Sequence, residues 1–132
     1  MIGIFVRLGL AASLAISAVA HGYLYTHGYQ HIPTIGAGFL IQATVSSALA
    51  LLIAAGGPGW LRWAGAAMAA GSLVAFALSR TVGLCGFAET GWEPSPYAAI
   101  STVAELFTLA LWWTDRRLRL RRRPTTSLSA GA

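Results

Sequence analysis

"IGIFVRLGLAASLAISAVAHG", Ile2 to Gly22, decides how this chain folds. Arg7 is the only formally charged side chain in it, and a histidine closes it. A membrane-spanning helix needs about 20 predominantly apolar residues, and this run supplies them. It is rich in Ala and Leu and shows no alternation of period two, so a strand is excluded. In hydrocarbon every backbone polar group must be paired within the segment, which makes the run a helix.

The same pattern recurs three times downstream. Apolar stretches run from about Thr34 to Ala55, from about Trp60 to Ser79 with Arg62 at its start, and from about Tyr97 to Trp113 with Glu105 inside it. They predict connections at 23–33, 56–59 and 80–96, and a polar tail from Asp115. The expected fold class is all-α, an integral membrane four-helix bundle. Residues 1–114 form the membrane domain, and 115–132 form a basic tail that is partly disordered.

Composition agrees. Charged residues make up 10% of the 132, hydrophobic residues 56%, and mean hydropathy is +0.64. A soluble domain carries about 25% charged residues, so this chain lacks the charge to coat a water-exposed surface. The net charge is +5, but six of the nine basic residues lie between Arg116 and Arg123. A basic run beside a span is a topology anchor. It attracts anionic lipid headgroups, and nucleic acid is not the expected partner. Arg62 falls on the same side as that run, so both termini are expected in the cytoplasm of a multi-pass plasma-membrane protein. Trp60, Trp63, Trp112 and Trp113 would form the inner aromatic belt. Tyr23, Tyr25, Tyr29, Trp92 and Tyr97 would form the outer one.

One competing reading concerns the first span. "AVA" at 18–20 has the form of a signal-peptidase site, and cleavage there would leave His21 as a new N-terminus. Against it, the residues before Arg7 are apolar, and the stretch is long enough to span.

Polar residues inside spans carry the functional information. Gly9, Ser13, Ser17 and His21 recur every four residues and share a helix face. Gln42 and Ser46 share another, as do Ser101, Glu105 and Thr108. Ala67, Gly71, Ala75 and Ser79 form a small-residue ridge suited to close helix packing. Gln42 and Glu105 lie at similar depth, roughly 12 Å into their spans at 1.5 Å per residue. Glu105 has Gln42, Arg80 or His21 as candidate partners.

His21, His27 and His31 are enough imidazoles for an open metal site, and His27 and His31 have the spacing of one helix face. Gly28 and Pro33 weaken a helix there, and the bland alternative is histidines bonded to loop backbone. Cys85 is the single cysteine, so no internal disulfide is possible. No cofactor identity follows from these residues.

"GYQHIPTIGAGFLIQ", Gly28 to Gln42, resembles a motif of small actinobacterial four-helix membrane proteins with "IPTIG" at the start of the second span. Those proteins share the length and the histidine closing the first span. They also carry a Gly-Phe-x-Glu segment before the last, here "GFAETGW", Gly86 to Trp92. The resemblance implies the topology above and marks His21, Pro33, Gly36, Gln42, Phe87 and Glu89. It implies no activity.

Three functional classes follow as expectations. The leading one is a non-enzymatic accessory or scaffold subunit that packs against a larger membrane complex or itself. The second is an outer-face binding or redox site for a metal, a quinone headgroup or a small solute, built from His21, Gln42, Arg80, Glu89 and Glu105. The third is a small oligomeric transporter using Glu105.

Overall fold

The computed structural model describes residues 1–121. Arg122, Arg123 and the expected disordered end lie outside the described residues. Four helices account for the fold: α1 Ile2–Thr26, α2 Ile35–Ala54, α3 Trp60–Arg80 and α4 Tyr97–Arg121. A short 3₁₀ turn, Tyr29–His31, sits between α1 and α2. No strand occurs among the described residues. α1, α2 and α3 are long and apolar enough to cross a membrane. α4 is as long as α1 but more polar, with Glu105 within it and Asp115 and arginines at its end.

The chain runs up and down. The α2–α3 turn and the C-terminal end of α4 lie at one end, the turn end. The α1–α2 and α3–α4 connections lie at the other, the loop end. α1 packs along both α2 and α4, and α3 closes the ring against those two, diagonally from α1.

Two helices run past their expected bounds. α1 continues beyond Gly22 because Leu24 buries with Tyr29 and Ile35. Thr26 Oγ1 also donates to the carbonyls of Gly22 and Tyr23, at 3.2 and 3.0 Å. Gly28, at φ 136°, then ends the helix in a conformation that suits only glycine. α4 outlasts its apolar stretch because Asp115 accepts from Arg119 one turn on, at 2.8 Å, and from Arg62 of α3, at 3.4 Å.

The "IPTIG" segment has a tight packing reason. A Cβ on Gly36 would lie 2.6 Å from the Tyr29 carbonyl oxygen and 3.0 Å from that of Gln30. The start of α2 is thus pressed onto the 3₁₀ turn, and only glycine fits.

The turn half holds an apolar core of Val6, Leu10, Leu14, Leu49, Ile53 and Leu61 with small partners. Here the helices touch closely. A Cβ on Gly65 would stand 2.9 Å from Leu14 Cδ1. The outer surface is apolar on every helix: Val19 is 71% exposed, Leu51 73%, Val74 59% and Val103 65%. Such a continuous apolar surface is stable against lipid and not against water.

The small-residue ridge of α3 contributes little to packing within the chain. Ala67 and Gly71 are exposed, Ala75 is half-buried and Ser79 is buried. Within the chain, close approach of α3 runs instead through Gly65, Ala66 and Ala69 in the turn half. Beyond Ala69, only Ser79 of α3 is buried. The loop half of α3 therefore stands off its neighbours.

Candidate functional site

That stand-off leaves a cavity of about 330 Å³ in the loop half. All five residues of the expected polar pocket line it: His21, Gln42, Arg80, Glu89 and Glu105. Each arrives from a different place. His21 ends the polar stripe of α1, Gln42 comes from α2, Arg80 closes α3, Glu89 lies in the following loop, and Glu105 projects from α4.

The floor is a hydrogen-bonded layer between α1 and α4. Ser13 Oγ and Thr108 Oγ1 are 2.7 Å apart. One turn higher, Ser17 Oγ donates to Glu105 Oε1 at 2.9 Å. The four-residue period of α1 meets the period of α4 face to face, so successive hydroxyls find successive partners.

His21 sits above this layer with a defined tautomer. Its Nδ1 lies 2.9 Å from the Ser17 carbonyl, which can only accept, so Nδ1 carries the proton. Nε2 then faces the cavity, 3.3 Å from Ser72 Oγ and 3.8 Å from Glu105 Oε1. In the neutral ring Nε2 accepts from Ser72. A second proton on the ring would face the Glu105 carboxylate. The pair can hold one proton at either of two positions a few ångströms apart.

Glu105 is thus beside Ser17 and His21. Arg80, also a candidate partner, belongs to a separate cluster at the mouth. Its Nη1 donates to Glu89 Oε2 at 2.7 Å, and its Nη2 donates to the Glu93 carbonyl. The Tyr29 hydroxyl donates to Glu89 Oε1. Burial and the neighbouring Glu89 both raise the Tyr29 hydroxyl well above its usual range, so it stays neutral and keeps that proton. Glu89 N–H bonds the Ser79 carbonyl at 3.1 Å, tying the loop to the end of α3.

Aromatic rings line the wall. Phe39, Phe76 and Phe87 border the cavity. The Phe39 ring lies 5.2 Å from the His21 ring and 4.6 Å from Tyr29. Trp92 tilts over Phe76 at 5.7 Å near the mouth. Tyr29, expected in an exposed aromatic belt, is buried instead, because its ring packs on Phe39 while its hydroxyl reaches Glu89. Cys85 lines the mouth at φ 51°, in a tight turn with Gly86 that Leu84 and Phe87 close by two backbone bonds.

The three histidines do not form a metal site. No group of three or more metal-ligating residues occurs among the described residues. His21 faces the cavity, whereas His27 caps α1 through the Tyr23 carbonyl at 2.8 Å and stacks on the Tyr23 ring. His31 is exposed beside Gln30 Nε2, at 3.1 Å. The physical reason is Gly28: it ends the helix between His27 and His31, so their four-residue spacing never becomes one face.

Phe87 was marked by the resemblance, whereas Ser72, Phe39 and Phe76 were not singled out by sequence. Ser72 carried a usable signal, a lone hydroxyl in the middle of an apolar span. Gln42 Nε2 and Ser46 Oγ, on one face of α2, are buried without a hydrogen-bond partner.

No family model, curated protein or solved structure matches this chain.

Proposed function

We propose that the chain is a multi-pass plasma-membrane protein of four spans, both termini cytoplasmic, that binds a small amphipathic molecule in its loop-half cavity from the outer face. One observation carries this reading. Five polar residues singled out in the sequence, one from each helix and one from the α3–α4 loop, line a single cavity. The volume is at the lower end for small-molecule sites, and a mostly apolar lining with a few convergent polar groups is their usual makeup.

The fourth crossing rests on how α4 places its polar groups. Glu105 and Thr108 face inward, while Val103, Leu106 and Phe107 face outward. Its outward face therefore suits lipid although its overall composition is more polar. The orientation rests on Arg62 and the arginines in the last turns of α4, at the turn end. Arg116 lies over Trp63 at 5.2 Å, a pairing suited to a headgroup interface. Retention of α1 rests on its central packing: Leu10 and Leu14 sit in the core, and Ser17 holds Glu105.

The closed turn half argues against the transporter reading. The polar layer between α1 and α4 ends on the apolar core around Leu10, Leu14 and Ile53.

Mass spectrometry of the protein released from mild detergent tests the binding reading. The unaltered protein should carry a small-molecule adduct that Ala75→Phe, which fills the cavity, removes. An identical adduct spectrum for both would count against the site. A second reading, the scaffold subunit, is favoured by the exposed Ala67, which continues the small-residue ridge outside the cavity. Blue-native migration as a lone monomer would sink it.

A further inference from the structure

We infer that the ligand of this cavity is a neutral ring bearing carbonyl-type acceptors, the chemical class of a quinone headgroup. The inference rests on the binding reading above and narrows it.

The first argument is charge. The ionisable side chains lining the cavity, Cys85 aside, are His21, Arg80, Glu89 and Glu105. Arg80 is matched by Glu89 at 2.7 Å, and His21 and Glu105, 3.8 Å apart, carry no net charge between them when they hold one shared proton. A charged ligand would add an unmatched charge in a low-dielectric site, which is strongly unfavourable. An anion would have to compete with Glu89 for Arg80. A cation would have to compete with His21 for Glu105. The ligand that disturbs neither pair is neutral.

The second argument is hydrogen bonding. Gln42 lines the cavity and is only 7% exposed, and its buried Nε2 has no hydrogen-bond partner among the described residues. A carboxamide N–H₂ can only donate, so its complement is an acceptor such as a carbonyl oxygen. Gln42 and the His21–Glu105 pair enter from different helices, which suits a ring with acceptors on more than one edge.

The third argument is shape. Phe39, Phe76 and Phe87 offer ring faces and edges to a flat, apolar body. The cavity lies in the loop half between helices whose outer surfaces are apolar, where a lipid-soluble molecule concentrates.

The test uses the full-length protein in lipid nanodiscs and four probes of one size. Duroquinone is the neutral ring with two carbonyls. Durene keeps the ring and methyl groups and lacks the oxygens. Tetramethylbenzoate is the anion, and benzyltrimethylammonium the cation. Equilibrium binding should rank duroquinone at least about tenfold tighter than each of the others. Gln42→Leu should weaken duroquinone about tenfold and leave durene unchanged. The ranking of probes on the unaltered protein stands even if that variant fails to fold. Durene or either ion binding as tightly as duroquinone, with Ala75→Phe abolishing it, would overturn the ligand class and leave the cavity reading intact. Binding that Ala75→Phe does not affect would overturn both. No measurable duroquinone binding would overturn the class.

Discussion

The two halves of this bundle are built from the same four helices and solve opposite problems. In the turn half, Leu10, Leu14, Ile53 and Leu61 interlock, and Gly65 lets α3 press onto Leu14. In the loop half, α3 stands off, and a cavity opens between matched charges, unpaired amide and aromatic walls. The difference lies in α3. Its buried residues before Ala69 are Leu61, Gly65 and Ala66, and after it only Ser79 is buried. One half of the molecule is therefore close-packed scaffold, and the other is space held open by polar contacts at its floor and mouth.

Substitutions should break that contrast in graded steps. The largest effect is expected from Leu14→Ala, which empties a site that is 1% exposed and costs about 2–5 kcal/mol in reversible unfolding from mixed micelles. A loss under about 1 kcal/mol would mean that the turn half is not close-packed. Next comes Gly65→Val. Added atoms there meet Leu14, and overpacking costs about 1–3 kcal/mol by the same measurement. Its counterpart in the other half is Ala75→Phe, a larger insertion that should change stability by less than about 1 kcal/mol because it fills existing space. If Ala75→Phe destabilises as much as Gly65→Val, the halves do not differ as described. The smallest effects belong to His27→Ala, about 0.5–1.5 kcal/mol for the lost bond to the Tyr23 carbonyl, and to His31→Ala, within about 0.5 kcal/mol of the unaltered protein. Metal analysis should give the same result with and without these two histidines, since neither approaches His21.

Much of this arrangement was legible in the sequence, for a plain reason. Long apolar runs leave the backbone no choice but helix, so the four elements could be read directly. The period of a helix is fixed, so Ser13, Ser17 and His21 could be put on one face, and Glu105 with Thr108 on another. Depth follows from rise per residue, which set Gln42 and Glu105 at one level.

What was not legible depends on neighbours in space. Sequence does not say which helix stands diagonally from which, so the partner of Glu105 stayed open among Gln42, Arg80 and His21. Tyr29 looked interfacial because it sits in a polar connection, yet the press of Gly36 against the 3₁₀ turn drives it under Phe39. The α3 ridge marked a close helix contact, within the chain or with a partner, because small residues at spacing four suit close packing. Position along the helix decides how little of it packs within the chain: the ridge extends into the half where α3 borders the cavity.

The most direct measurement of the central claim is thiol accessibility in the two halves. Ser72→Cys and Ala69→Cys, one turn apart on α3, are each made with Cys85→Ala and exposed to a small water-soluble methanethiosulfonate added outside intact cells. Ser72 lines the cavity, whereas Ala69 is fully buried. A cavity open at the outer face predicts rapid modification of Ser72→Cys and none of Ala69→Cys. Equal inertness of the two, or modification of Ser72→Cys only when the cytoplasmic side is opened to the reagent, would contradict it.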